Sequence, residues 1–105
     1  MLESAVEEQL VARVEFVGGL CEKLTTPGRR GVPDRLVTWW REIHLIETKA
    51  PSKEPRVNQM VDHARRRRMT KVFVLDTIEK VDEYVNSMYA SWPINYGVKP
   101  GDYHL

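Results

Sequence analysis

The chain of 105 residues contains a single cysteine, Cys21, and no long apolar run. One cysteine cannot build an internal disulfide framework, and no charged start followed by an apolar stretch resembles a secretion signal. Charged residues interrupt the sequence every few positions, which predicts no membrane-spanning segment. We therefore expect a cytoplasmic protein that does not insert into membranes.

The sequence also lacks a surplus of charge of either sign. Its 16 Lys and Arg residues nearly balance its 15 Asp and Glu residues, which leaves a formal net charge of +1. A field of that size neither favours nor excludes a polyanionic partner. A nucleic-acid surface would have to come from local clusters, and two are present: Arg29 with Arg30, and the run from Arg65 to Arg68. A charge run is usually a solvated helix face, but the two clusters together favour phosphate binding.

The first predicted element is a helix from Leu2 to Val17, where apolar residues recur at helical spacing. Ser4 is its predicted N-cap, with Glu7 three residues later as a capping-box partner. The pair Gly18-Gly19 is expected to end this helix, because glycine accepts the left-handed conformation that closes many helices.

The rest of the pattern predicts four strands and two more helices. The strands are expected at 20–24, 35–39, 43–49 and 71–76, and the helices at 57–68 and 78–92, with Pro93 ending the last one. This order predicts an α/β fold with a mixed four-stranded sheet, since a strand, helix and strand in succession make a crossover between parallel strands.

The second and third strands are expected to form a hairpin, although no Asn-Gly or Asp-Gly pair specifies its turn. If the turn is centred between Trp40 and Arg41, antiparallel pairing places Asp34 opposite Glu47. Alternation along the strand puts Glu47 and Lys49 on the same face. Two carboxylates and one ammonium group therefore converge at one end of the hairpin.

Two neighbouring carboxylates repel each other, and one of them tends to take up a proton unless a cation lies between them. Mg²⁺ prefers oxygen ligands and usually takes one or two carboxylates, together with water and phosphate oxygens. Such an ion lowers the pKa of water and stabilises the charge that develops on a phosphodiester. We expect Asp34 and Glu47 to hold Mg²⁺, for which Mn²⁺ can substitute, and Lys49 to orient water or neutralise the phosphate.

The residues Gly31-Val32-Pro33-Asp34, then Glu47-Thr48-Lys49, then Gln59 resemble the signature of PD-(D/E)XK nucleases. More narrowly, they resemble the VRR-NUC group of small, often phage-encoded nucleases. The resemblance implies a restriction-endonuclease-like α-β-β-β-α-β core over residues 1–92, with a tail over 93–105. It also implies a metal-dependent endonuclease that acts on structured or branched DNA as a homodimer, in a bacterial or phage-infected cell.

The same resemblance implies a role for each residue that matches the signature. Asp34, Glu47 and the backbone carbonyl of Thr48 would hold the metal, and Lys49 would assist the attacking water. Thr48 is more polar than the residue often found at its position.

Two further residues are implied by the resemblance, each with an alternative. An acidic residue of the first helix commonly joins the site, which points to Glu7. Glu3, one turn earlier, is the competing candidate. A plain capping role for Glu7, as the partner of Ser4, is equally consistent with the sequence. Gln59 would position a water or a phosphate, although an exposed helical glutamine also fits the sequence.

Other residues that resemble parts of functional sites have simpler interpretations. His44 is expected on the hairpin face opposite Glu47, so both His44 and His63 are predicted to be structural. Cys21 is predicted to be a small core residue. The tryptophans are expected at a subunit contact rather than stacked on bases: Trp39, Trp40 and Trp92.

Two other classes of protein remain open. One is a catalytically inactive nucleic-acid-binding module with the same fold, against which the intact Asp34, Glu47 and Lys49 argue. The other is a structural or assembly protein, which would show no affinity for DNA even at low salt.

Overall fold

The computed structural model describes residues 2–29, 31–39, 41–51, 53 and 55–96, with residues 92–96 described by their backbone alone. In chain order the elements are α1 (Glu3–Phe16), β1 (Leu20–Lys23), β2 (Arg35–Trp39), β3 (Glu42–Thr48), α2 (Val57–Arg66), β4 (Lys71–Leu75) and α3 (Ile78–Tyr96). None of the described helices is long and apolar enough to cross a membrane.

The four strands form one sheet in the order β1-β2-β3-β4. Strands β1 and β2 pair antiparallel, as do β2 and β3, whereas β3 and β4 pair parallel through the α2 crossover. This arrangement confirms the predicted α/β class and the α-β-β-β-α-β order.

The register of the β2–β3 hairpin confirms the predicted pairing. Arg35 lies opposite Ile46 and Trp39 lies opposite Glu42, so the turn falls between Trp39 and Glu42 as expected. Arg41 in this turn has a positive φ of 65°. A left-handed conformation at a non-glycine residue costs about 1 kcal/mol, so strand pairing rather than turn chemistry determines this register. Trp40 lies outside the described residues.

One face of the sheet is covered by α1 and α3, which also pack against each other. The core between them contains Val6, Leu10, Val14, Cys21, Val37, Trp39, Ile46, Leu75, Val81, Tyr84, Val85 and Met88. The burial of Cys21 agrees with its predicted core role. Trp39 is only 3% exposed, so the expectation that it lies at a subunit contact is wrong. Its ring fills the core because strand alternation points it toward α3.

A buried polar network accounts for His44. Trp39 donates from Nε1 to the Tyr84 hydroxyl at 2.8 Å, and that hydroxyl lies 2.6 Å from His44 Nδ1. Because His44 Nε2 lies 2.8 Å from a carboxylate oxygen of Glu42, it carries the proton, and the Tyr84 hydroxyl donates to Nδ1. Burial lowers the pKa of His44, which keeps the ring neutral. The prediction of a structural histidine here is supported by these contacts.

The opposite face of the sheet carries α2, which packs against β4. Alternation along β3 turns Glu47 toward this face and His44 toward α3. His63 of α2 is 1% exposed, and its burial lowers its pKa. The α2 face is therefore the one toward which Glu47 of the predicted site points.

The beginning of α1 differs from the prediction. The N-cap residue is Leu2, which makes no side-chain cap hydrogen bond, so the Ser4–Glu7 capping box is wrong. The packing of Val6, Leu10 and Val14 stabilises the helix without that cap. The helix therefore begins one turn before Glu7, at Glu3.

The end of α3 also differs from the prediction, because the helix continues through Pro93 to Tyr96. A proline removes one backbone hydrogen bond, but at this position it weakens only the last turn. Upstream, the helix is held by Val81, Val85 and Met88, which pack in the core. The side chain of Trp92 and residues 97–105 lie outside the described part of the chain, so the predicted tail stays a prediction.

Candidate active site

The predicted acidic residues meet where β2 begins and β3 ends. Asp34 directly precedes β2, while Glu47 and Lys49 lie at the end of β3. Because the hairpin is antiparallel, the start of one strand lies beside the end of the other. Gln59, in the first turn of α2, reaches the same place from the crossover helix.

Three carboxylates form a cluster at this point: Glu3, Asp34 and Glu47 each offer an oxygen, and the three oxygens lie within 4.8 Å of one another. Glu3 is exposed at the start of α1, Asp34 is half-buried, and Glu47 is 4% exposed. Like charges this close require compensation by protons or a cation.

Asp34 is held by Thr48 through both of its oxygens. The backbone N–H of Thr48 donates to Oδ1 at 3.2 Å, and its hydroxyl donates to Oδ2 at 3.1 Å. Burial raises the pKa of Asp34, while these two hydrogen bonds act in the opposite direction. No role was predicted for the Thr48 side chain, although its unusual polarity at this position was a signal of one.

Glu47 has two oxygens in different environments. Oε2 accepts a hydrogen bond from Gln59 Nε2 at 3.1 Å and lies 3.4 Å from Lys49 Nζ. Oε1 is buried and has no hydrogen-bond partner among the described residues. Burial, followed by the nearby Asp34 charge, raises the pKa of Glu47 to about 7. Oε1 is thus a buried acceptor that lacks a donor, within a group of carboxylates.

Gln59 makes contact with protein groups at each end of its amide. Oε1 accepts from the backbone N–H of Arg56 at 2.9 Å, so Nε2 is oriented toward Glu47. The family resemblance implied that Gln59 belongs to the site. In the structure it holds the Glu47 carboxylate, and its predicted contact with water or phosphate stays a prediction.

The structure places Glu3, and not Glu7, in the carboxylate cluster. Glu7 instead forms an ion pair with Arg35, with Oε2 3.0 Å from Nε. The two glutamates lie one turn apart on the same side of α1, but Arg35 at the start of β2 pairs with Glu7. Glu7 acts on the site through its charge, which contributes to the raised pKa of Asp34.

The peptide between Thr48 and Lys49 is anchored by the neighbouring strand. The backbone N–H of Lys49 donates to the carbonyl of Leu75 at 3.0 Å, which extends the parallel pairing past the end of β3. The Thr48 carbonyl belongs to this peptide, and its role as a metal ligand stays a prediction.

The loop before Asp34 is packed tightly onto α2. Gly31 has a φ of +82°, and a Cβ at this position would lie 2.4 Å from the backbone oxygen of Asn58. Only glycine allows both that conformation and that close approach. The Gly-x-Pro segment of the signature thus fixes the loop that positions Asp34, and Leu24 binds the backbone oxygen of Asp34 at 2.9 Å.

Three basic residues share a cavity with Glu3 of the carboxylate cluster. Lys49, Lys53 and Arg56 line a cavity of about 330 Å³ together with Glu3. Neither Lys53 nor Arg56 was predicted to belong to the site, because single basic residues in a loop show no pattern. The cavity combines Glu3 of the carboxylate cluster with three basic side chains, as suits a site that holds both a cation and an anion.

No protein-family model matches the chain. Among solved structures, a VRR_NUC domain superposes with a TM-score of 0.75 and 36% sequence identity, covering 83% of this chain and 97% of that one. The chain belongs to the VRR-NUC family. This VRR-NUC chain is also 45% identical over 64 residues to "Putative nuclease p44" of Acyrthosiphon pisum secondary endosymbiont phage 1, over 60% of this chain and 69% of that protein.

The donor set of this VRR-NUC site suits a hard divalent cation. The grouped ligand atoms are all carboxylate oxygens, from Glu3, Asp34 and Glu47. Oxygen-only sites favour Mg²⁺ or Mn²⁺ over metals that prefer sulfur or nitrogen. The partnerless Oε1 of Glu47 fits such an ion, because a cation would satisfy the buried oxygen and relieve the repulsion from Asp34.

Proposed function

We propose that this VRR-NUC chain is a divalent-metal-dependent nuclease that hydrolyses phosphodiester bonds of DNA. Family membership and the likeness to a phage protein named as a nuclease support the nuclease activity. The single observation that carries the metal dependence is the buried Oε1 of Glu47, which has no described donor although the Glu47 carboxylate is grouped with those of Asp34 and Glu3.

The metal is Mg²⁺, with Mn²⁺ as a substitute. Asp34, Glu47 and Glu3 would hold it, with the Thr48 carbonyl as a further candidate ligand. When bound, such an ion lowers the pKa of a nearby water and stabilises negative charge on the phosphodiester. The oxygen ligands and the burial of Glu47 favour oriented binding.

The protein groups around the ion each have a distinct part. Thr48 holds Asp34 in one orientation through two hydrogen bonds, and Gln59 holds Glu47. The Lys49 ammonium, on the same face as Glu47 and 13% exposed, neutralises charge on the scissile phosphate or orients the attacking water. Groups fixed before the substrate arrives need no reorganisation during the reaction, which is how such sites accelerate it.

Two finer features are part of the proposal: a preference for structured or branched DNA, and action as a homodimer. Both are supported by the family resemblance alone. Comparison of linear, plasmid and four-way-branched substrates, and determination of molecular mass in solution by light scattering, test them separately from the chemistry.

The metal is tested without any assay of activity. We expect Mn²⁺ at 100 times its dissociation constant to stabilise the protein by about 2.7 kcal/mol, which raises the melting temperature by about 10 °C. Asp34→Asn and Glu47→Gln should lose most of this shift, whereas Glu15→Gln, at the far end of α1, should keep it. Equal shifts in all four proteins would overturn the proposed ligands.

Cleavage is then tested with plasmid DNA and Mg²⁺. Wild-type protein should cut, EDTA should stop it, and Asp34→Asn and Lys49→Ala should each be at least about a hundredfold slower. Equal cleavage by wild type and both variants would reveal a contaminant. Metal-independent binding of DNA with no cleavage would instead favour the inactive binding module.

A further inference from the structure

We propose that one strand of the substrate backbone lies along α2, in a groove lined by Lys53, Arg56, Asn58, Arg29 and Arg65, hereafter the α2 groove. The inference rests on the proposed nuclease function and adds to it a path for the DNA beside the active site. Its partner is a nucleic-acid backbone, because exposed cations line each part of the groove and successive phosphates carry the opposite charge.

The first part of the groove leaves the active site directly. The cavity of about 330 Å³ that holds Lys49 also contains Lys53 and Arg56. Arg56 also lines the next cavity, of about 450 Å³, which includes Asn58 and the glycine of the signature loop, Gly31. Because Arg56 belongs to both, the two cavities are neighbouring parts of one surface.

The second part continues along α2. Asn58 lines a third cavity, of about 380 Å³, together with Arg29 and Arg65. The shared Asn58 joins this cavity to the previous one. A continuous path therefore runs from Lys49 to Arg65, with a cation in each part.

The cations of the groove are available to a ligand. Lys53, Arg56 and Arg65 are exposed, and within the described residues none of them forms an ion pair. Cations without an acidic partner create a positive potential that attracts a polyanion. A mere solvated helix face would more commonly pair such charges with acidic residues at helical spacing.

Asp62 holds one more cation in the groove. Its carboxylate is 5% exposed and lies 2.6 Å from Arg66 Nε and 3.6 Å from Arg29 Nε. The Arg29 side chain remains 46% exposed, so its guanidinium faces the groove while Asp62 orients it. A buried acid that restrains an exposed arginine lowers the entropic cost of binding a phosphate.

The four arginines at positions 65–68 thus make different contacts. Arg66 pairs with Asp62, and Arg67 donates from Nε to the carbonyl of Val72 at 3.4 Å, so both connect α2 to its surroundings. Arg65 lines the groove, whereas Arg68 lines none of its three cavities. Only Arg65 of the four is assigned to the DNA backbone.

The length of the groove predicts the size of the contact. Arg56 and Arg65 are nine positions apart on a helix that rises 1.5 Å per residue, which gives about 13 Å. Phosphates of one duplex strand advance by about 3.4 Å along the axis. The groove is therefore long enough to contact several successive phosphates of one strand.

The test measures binding of a fluorescent 20-base-pair duplex by anisotropy, in EDTA so that no cleavage occurs, at several salt concentrations. Each phosphate contact contributes a slope of about −0.9 to the dependence of log K on log salt. Arg56→Ala and Arg65→Ala should each flatten the slope by about 0.9 and weaken binding several-fold, and Arg56→Lys should restore the slope. Arg68→Ala removes the same charge from the neighbouring surface and should keep the wild-type slope.

If Arg56→Ala and Arg65→Ala show the same slope as Arg68→Ala, the α2 groove is wrong, whether or not wild-type protein cuts DNA. If the slopes change as expected but wild-type protein fails to cut with Mg²⁺ or Mn²⁺, the groove stands and the nuclease function falls. Melting temperatures of the variants, compared with wild type, confirm that each one folds.

A second measurement tests the extent of the groove. The duplexes carry one phosphorothioate linkage at the centre, which resists hydrolysis. The flank on one side or the other is shortened from six nucleotides to two. Shortening one of the two flanks should weaken binding by wild type and have little effect on Arg65→Ala. Equal sensitivity of both proteins to both flanks would contradict the one-sided path.

Discussion

Gln59 donates from Nε2 to Oε2 of Glu47 at 3.1 Å. The other end of its amide is bound by the backbone N–H of Arg56 at 2.9 Å, so the start of α2 is linked to the end of β3 through one side chain. The contact orients Glu47 so that its second oxygen, Oε1, remains without a described partner. A crossover helix thus positions an acidic residue of the sheet.

Replacement of Gln59 by Glu should separate this positioning from helix stability. The variant keeps an acceptor for the Arg56 N–H but removes the donor to Glu47 and adds a second carboxylate. We expect a 10- to 100-fold loss of Mn²⁺ affinity or activity, typical of residues that orient metal ligands. The melting-temperature shift with Mn²⁺ and the kcat for DNA cleavage measure this. Gln59→Leu should lose both contacts, and wild-type behaviour of Gln59→Glu would remove Gln59 from the site.

Variants of Glu3 and Glu7 together test which glutamate of α1 helps to hold the metal. Glu3→Gln should weaken Mn²⁺ binding, because Glu3 lies in the carboxylate cluster. Glu7→Gln should break the ion pair with Arg35 and lower the pKa of Asp34, with little effect on Mn²⁺ affinity. Titrations followed by thermal unfolding compare the two directly. A larger loss of affinity in Glu7→Gln would reverse the assignment.

The raised pKa of Glu47 predicts how the metal-free protein responds to pH. The pKa is about 7 when folded and 4.5 as the reference for the unfolded chain. Between these values the folded state keeps a proton that the unfolded state releases, so the free energy of unfolding falls as pH rises from about 4.5 to 7. The loss amounts to about 3 kcal/mol.

Glu47→Gln should abolish this component, since glutamine has no proton to release. Urea unfolding in EDTA at pH 5 and pH 8 measures it: the variant should gain stability relative to wild type at pH 8 and differ less at pH 5. The same gain at both pH values would show that Glu47 titrates normally.

Alanine variants of Gly31 and Gly28 distinguish the cost of backbone strain from the cost of a steric clash. Both have positive φ, at 82° and 78°, but a Cβ at Gly28 meets nothing within 4 Å, whereas one at Gly31 would meet the backbone of Asn58. We expect Gly28→Ala to cost about 1 kcal/mol from strain alone. Gly31→Ala should cost at least about 3 kcal/mol and also reduce Mn²⁺ affinity by displacing Asp34. Chemical unfolding of both variants tests the difference, and equal costs would mean that the loop moves freely away from α2.

Tyr84→Phe probes the network on the opposite face of the sheet. The change removes the hydroxyl that Trp39 and His44 share, within a buried region. We expect a loss of about 2 kcal/mol in the free energy of unfolding, because two buried polar groups lose that partner. Mn²⁺ affinity should not change, since the network lies on the α3 side. If the variant is fully folded but binds Mn²⁺ more weakly, this network affects the metal site on the other face of the sheet.

Much of the site follows from local rules. Alternation along β3 and the antiparallel register placed Asp34 near Glu47 and turned Lys49 to the same side, as the structure shows. Strand periodicity determines such relationships over a few residues, because a slip of one position would expose the whole buried face. The family resemblance added Gln59 to the predicted site. A single glutamine in a helix shows no pattern that would assign it this role.

The sequence by itself determined the order of helices and strands, the hairpin register and the pairing of Asp34 with Glu47, since these depend on periodicity between chain neighbours. Tertiary structure alone decided that Glu3 joins the cluster while Glu7 binds Arg35, and that Arg56 lies beside the active site. Those outcomes depend on how far each helix is shifted and rotated against the sheet. That placement is fixed by packing between distant residues, such as Leu10 and Val85 in the shared core, and no local pattern encodes it.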